Sequence, residues 1–262
     1  MKGPGTTDER FAEPPSDDVL RGLVARARER GEERVVIEVT HEVADAWAHA
    51  GFAEVSRTLA ASVEVLERRL SRDGGPSFGS IHVQTDDLDA VVRAVRQYVP
   101  RLPGHSRGSV VVPPRDGWTA VYDELCDRDP EMLRRLGREI SDRTGAVVLV
   151  LGLEDGAVVR YIALERGRIV DEYLSVPEYQ GPLAPGDVIA LGANPRLMAR
   201  LTGAEIADVR EAAPTAADPA ELPPAADLLA RLARTFGIQG GTHGYDGALD
   251  APGAIAVERP LG

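Results

Sequence analysis

The side chains best able to do chemistry are five histidines, one cysteine and a group of carboxylates. His41, His49, His82, His105 and His243 are scattered. His41 and His49 can share a helix face, but with Glu42 and Asp45 they make no recognised metal pattern, so the histidines are read as surface residues. Cys126 sits beside Asp123, Glu124 and Asp127, whose charges suppress the nucleophilic thiolate, so it is read as buried or inert. Asp123, Glu124, Asp127 and Asp129 have the chemistry of a divalent-cation site but lack the glycine spacing of an EF-hand loop. The reading favoured is a solvated acidic turn that caps the next helix. The stretch 171–179 (DEYLSVPEY) carries two tyrosines and three carboxylates out of a strand. It suits either binding residues or a tyrosine-packed corner, and the corner is favoured. Gly240-Gly241-Thr242-His243-Gly244 follows a helix rather than joining a strand to a helix, which is the wrong setting for a phosphate loop.

Residues of these types act only where regular elements hold them, and composition allows such a frame. The chain has 262 residues, 43% of them apolar, with a formal charge of −12. That charge argues against nucleic acid and anionic membranes as partners. One cysteine allows no intrachain disulfide and no cysteine-based metal site. No signal-like or membrane-spanning apolar run is present, so a soluble, cytoplasmic protein is expected.

Residues 1–16 are expected to be disordered. Ser16 or Asp17 caps a helix whose Val19, Leu20, Leu23, Val24 and Ala27 fall at helical spacing, ended by Gly31. Residues 34–39 read as a buried strand, 42–49 as a helix, 53–61 as a strand and 63–70 as a helix. Residues 72–80 (SRDGGPSFGS from 71) form a linker. Strands are then predicted at 81–84, 109–112, 118–123, 146–153, 158–165 and 168–174, with turns at Asp116-Gly117, Asp155-Gly156 and Arg166-Gly167. Helices are predicted at 88–98, 130–143, 185–191, 195–201, 206–212 and 225–236, and a flexible tail at 249–262. An antiparallel or mixed sheet with helices on one face is expected.

The order helix, strand, helix, strand from residue 17 to 70, with Thr40-His41-Glu42-Val43-Ala44-Asp45-Ala46-Trp47-Ala48-His49-Ala50-Gly51-Phe52 on the second helix, resembles the C-terminal half of a GNAT-superfamily N-acetyltransferase. The Gly51-Phe52 pair and the strand–helix spacing match the family pattern Asn-x-x-Ala-x-x-x-Tyr-x-x-x-Gly-Phe. The helix with VLRGLVARARERG looks like the one that follows the family's pyrophosphate loop. The resemblance implies acetyl-coenzyme A as cofactor, with Val35, Val36, Ile37 and Val39 flanking the pantetheine and Trp47, at the position of the family tyrosine, near the thiol.

The departures from the family are chemical. Where a glycine-containing loop should offer N–H groups to a pyrophosphate, this chain has Glu13-Pro14-Pro15-Ser16-Asp17-Asp18. Prolines donate nothing, and each carboxylate repels the anion by about 1 kcal/mol at about 4 Å in water and about 4 kcal/mol at an effective dielectric of about 20. An indole in place of the phenol is no useful acid at neutral pH. The family's upstream half has no room before residue 17. The exposed edge is therefore expected to pack on the second region, to dimerise, or to meet a partner chain.

These observations give an α+β chain. A partial GNAT-like α/β unit at 17–71 precedes a mixed or antiparallel sheet domain at 81–248 with helices and a helical C-terminal segment. The second region resembles bacterial α/β domains that suggest no mechanism. The function expected is a degenerate or truncated GNAT-type acyltransferase. The alternative is a non-catalytic interaction or regulatory protein that binds a protein or a small ligand.

Overall fold

The computed structural model describes residues 9–11, 16–31, 34–39, 53–55, 58–62, 75–102 and 106–259. The chain divides into two compact units, Met1–Asp73 with Gln180–Pro182, and Gly74–Tyr179 with Leu183–Gly262.

In the smaller unit, Ser16 begins the helix because its hydroxyl accepts the Val19 N–H. The helix α1 (Asp17–Glu29) buries Leu20, Leu23, Val24 and Ala27, one stripe at helical spacing. It packs on β2 (Arg34–Val39), where Val35 is buried. The strand β1 (Glu9–Phe11) pairs in parallel with β2, in the register Glu9↔Ile37 to Phe11↔Val39. Strand structure thus begins inside the stretch expected to be disordered. Residues 53–61 are not one strand: β3 (Ala53–Val55) and β4 (Thr58–Ser62) pair antiparallel with Val55 opposite Thr58, a tight hairpin. The sheet order is β1-β2-β4-β3. The helices expected at 42–49 and 63–70 lie outside the described residues.

In the larger unit, apolar runs punctuated by two-residue turns build an antiparallel sheet. Its strands are β5 (Phe78–Gln84), β6 (Ser109–Arg115), β7 (Trp118–Asp123), β8 (Val147–Glu154), β9 (Val158–Glu165), β10 (Arg168–Leu174) and β11 (Ile255–Val257). Their order is β10-β9-β8-β5-β7-β6-β11, and every neighbouring pair is antiparallel. The linker expected at 72–80 therefore ends early, because Phe78–Ser80 already pair with β8. The tail expected at 249–262 contains β11, which closes the edge beside β6.

Helices cover both faces, not one. On one face α2 (Leu88–Tyr98) and α3 (Pro130–Thr144) pack Val91, Val95, Leu133, Leu136 and Ile140 onto Ile81, Val83, Val121, Val148 and Ile162. On the other, α5 (Pro195–Thr202), α6 (Ile206–Ala212) and α7 (Ala225–Thr235) cover Trp118, Leu149, Leu151, Val159 and Tyr161. Between them in chain order, α4 (Pro185–Ala190) precedes α5, and the four-residue α8 (Tyr245–Ala248) follows α7. The second helical layer follows from the lack of alternation: β8 and β9 are apolar at successive positions, so both faces of the sheet need cover. No described helix is long and apolar enough to cross a membrane.

The C-terminus of α3 offers a clean local test. Gly145 ends it at φ 66°, its N–H bonded to the Ser141 carbonyl, and a methyl group added there meets nothing within 4 Å. Gly145→Ala is therefore expected to lower unfolding stability by about 1 kcal/mol through backbone conformation alone. Urea unfolding checks it, and a variant as stable as the parent contradicts it.

Candidate functional site

A shallow cavity opens on the helix-α7 side of the larger sheet. Pro113 and Pro114 cannot donate to the β6–β7 ladder, and the pairing shifts register between Val112 and Arg115. Beyond that bulge Arg115 stands opposite Trp118, before the turn at Asp116-Gly117. The loop after α7 comes over this corner. The resulting cavity, about 60 Å³, is lined by β6, by Trp118, Ala120 and Tyr122 of β7, and by Gln239, Gly240 and His243 of the loop.

Its polar groups are arranged by one another. The Tyr122 hydroxyl donates to the Gly240 carbonyl at 2.8 Å. The Tyr122 ring stacks on His243, with centroids 5.0 Å apart and planes at 16°. Burial raises the Tyr122 phenol pKa, and the Arg115 charge partly offsets the rise. Gln239 donates from Nε2 to Asp116 Oδ2 at 2.5 Å. His243 Nδ1 lies 3.1 Å from the Gly244 carbonyl oxygen. A carbonyl only accepts, so Nδ1 carries the proton and Nε2 of the neutral ring is an acceptor.

Behind Tyr122 stands His82, edge-on at 6.3 Å and 88°. The surface position expected of it is wrong: it is 0% exposed. Its strand, β5, lies in mid-sheet between β7 and β8 with helices on both faces, so alternate positions are all enclosed. Nε2 shares a 2.9 Å hydrogen bond with Ser80 Oγ, and Nδ1 has no partner among the described residues. Burial, and secondarily electrostatic coupling to His243, push the imidazole down to about 3.

The acidic turn after β7 is less solvated than expected. Asp123 is buried and accepts from Ser109 Oγ at 2.6 Å, Ser106 Oγ at 3.2 Å and the Leu125 N–H at 2.9 Å. Burial raises its pKa, while these bonds pull it down. Asp127 accepts from the Gly79 N–H at 3.1 Å and the Tyr245 N–H at 2.8 Å, tying β5 to α8. Its pKa is likewise raised, first by burial. Asp129 caps α3, accepting from the N–H groups of Glu131 and Met132. Among the described residues no group of three or more candidate ligands could hold a metal ion. Cys126 is buried, and burial with the charges of Asp123, Asp127 and Asp129 raises its pKa well above the ordinary thiol value.

The stretch from Asp171 to Tyr179 forms a packed corner. Tyr161 and Tyr173 stack at 5.2 Å, and the Tyr173 hydroxyl donates to the Pro214 carbonyl at 2.5 Å. Asp171 accepts from the Tyr161 hydroxyl at 2.6 Å and from the Asn194 N–H at 3.0 Å. Glu172 pairs with Arg134.

In the smaller unit, the N-terminus of α1 holds the Ser16 cap and two first-turn carboxylates, Asp17 and Asp18. Asp18 pairs with Arg21 at 3.2 Å. Val35, Val36, Ile37 and Val39 share β2, which is paired on one side with β1 and on the other with β4. Val35 is buried; the side chains of the other three, and Trp47 as a whole, lie outside the described residues.

Compared with known proteins, the chain matches no family model, no curated protein and no solved structure. The cavity at Arg115 was missed because its walls come from distant segments, 112–122 and 239–251. The only signal was the glycine-rich stretch around His243, which reads as a failed phosphate loop.

Proposed function

We propose that this chain is a non-catalytic binding protein in which the smaller unit, GNAT-like by resemblance, is a scaffold and the larger unit takes the ligand. The observation that carries this reading is the N-terminus of α1. Its Ser16 cap already occupies the Val19 N–H, and Asp17 and Asp18 bring negative charge to where the coenzyme A pyrophosphate would sit. The parallel pairing of Glu9–Phe11 with Ile37–Val39 also holds the two strands together where a pantetheine needs them parted. The charge of −12 argues against nucleic acid and anionic membranes, and a cytoplasmic setting agrees with it. The outer edges of β1 and β3 in the four-stranded sheet suit a second copy or a partner chain.

A second reading is residual GNAT-type acyl transfer. The parallel β1–α1–β2 crossover favours it, because such units present a helix N-terminus beside the ends of their strands. In that reading Val35, Val36, Ile37 and Val39 flank the pantetheine of acetyl-coenzyme A and Trp47 lies near its thiol. Calorimetric titration of the full chain with acetyl-coenzyme A separates the two. No heat at millimolar ligand is expected; micromolar binding makes the acyltransferase reading the better one.

A further inference from the structure

We infer that the cavity at Arg115 and His243 binds a small hydroxycarboxylate. This rests on the binding-protein reading and assigns that reading a site and a ligand class.

Arg115 is exposed and makes no ion pair or hydrogen bond among the described residues. The acid next to it in sequence, Asp116, is engaged by Gln239. A guanidinium presents paired N–H donors that match a carboxylate, so the cavity offers an anion a cation that no described group engages. Its walls are the rings of Trp118 and Tyr122 together with Ala120, which exclude water from one side of a bound anion and strengthen the pairing.

The second polar element sets the rest of the ligand. With Nδ1–H committed to the Gly244 carbonyl, His243 presents Nε2 as an acceptor. That edge faces the Gly240 side of the cavity, since a methyl on Gly240 would stand 3.5 Å from Nε2. An acceptor there calls for a donor on the ligand, and a neutral hydroxyl supplies one beside the carboxylate. A volume of about 60 Å³ is well below the about 300–1,000 Å³ of pockets that take drug-sized ligands, which restricts the enclosed part of the ligand to a small molecule. A two- or three-carbon hydroxy acid has that size and both groups.

The test is an NMR titration of the isotopically labelled full chain with lactate, beside propionate, which lacks the hydroxyl, and lactamide, which lacks the charge. Lactate is expected to shift the Gly240 and His243 resonances saturably and to bind at least about fivefold more tightly than either analogue, the loss of one hydrogen bond. Arg115→Gln, at an exposed position, is expected to keep the parent melting temperature and to weaken lactate at least about tenfold. His243→Phe keeps a ring to stack on Tyr122 and is expected to reduce lactate to the level of propionate. Equal binding of lactate and propionate, or lactate binding untouched by Arg115→Gln, overturns the inference, as does no saturable shift. The acetyl-coenzyme A titration reports on α1 and not on this cavity, so failure here and failure of the wider reading are told apart.

Discussion

Taking the pH from 7 to 4 is expected to remove about 3 kcal/mol of folding stability through His82 alone, a loss that a His82→Gln variant does not share. The imidazole is fully buried, with Ser80 Oγ at Nε2, the edge of Tyr122 nearby and His243 as a neighbouring imidazole. Its folded pKa is about 3 against an ordinary 6.5. Below pH 6.5 the unfolded chain takes up a proton that the folded chain refuses. Stability from this residue is therefore present above about 6.5 and lost, at about 1.4 kcal/mol per pH unit, as pH falls towards 3. Asp123, Asp127 and Asp171 act in the opposite direction, because their folded pKa values are raised: their contributions are present at low pH and lost as pH rises. The difference between parent and variant isolates the histidine. Urea unfolding at several pH values should show the gap between the two proteins closing between pH 6.5 and 4. Parallel stability curves would mean that His82 does not titrate as a buried group.

The second large effect is expected at Asp127. Its carboxylate receives two backbone donors from segments remote in sequence, Gly79 in β5 and Tyr245 at the start of α8. Gly244 leaves the space it needs, since a methyl there would stand 2.4 Å from the carboxylate. Asp127→Ala leaves both N–H groups without their acceptor and should cost about 3 kcal/mol, from two charge-assisted bonds. Asp127→Asn keeps one acceptor oxygen and should cost about half as much. Amide exchange at Gly79 and Tyr245 should quicken in the alanine variant before the rest of β8 and β9 responds. An alanine variant within about 0.5 kcal/mol of the parent, with those two amides still protected, would show that other contacts hold α8.

Where the chain's pattern is local, it was readable. The bounds of β2, β7, β9, β10, α2 and α6 follow from alternation or helical spacing between Gly, Pro and Asp signals, and the structure has them at the same residues. What depends on partners was not. His82 looks like any polar residue in a short strand until β7 and β8 come to lie on either side of it. Asp123 and Asp127 look solvated until Ser109, Gly79 and Tyr245 arrive from elsewhere in the chain. Ile255–Val257 is too short for alternation to register and becomes a strand only because β6 offers a free edge. The candidate cavity belongs to this second kind: neither Arg115 nor His243 carries a motif, and their meeting is a property of topology.

The pairing of β11 with β6 also bears on how the chain is made. During synthesis, residues 109–112 (SVVV) leave the ribosome well before their outer neighbour exists. At about 5–20 residues per second, the nascent chain carries that flat apolar edge open for on the order of ten seconds before Ile255–Val257 emerges to close it. Two adjacent prolines, Pro113 and Pro114, interrupt the ladder immediately after the valines. They shorten the stretch on which a neighbouring nascent chain could template, so the bulge that shapes the cavity also guards the unfinished sheet.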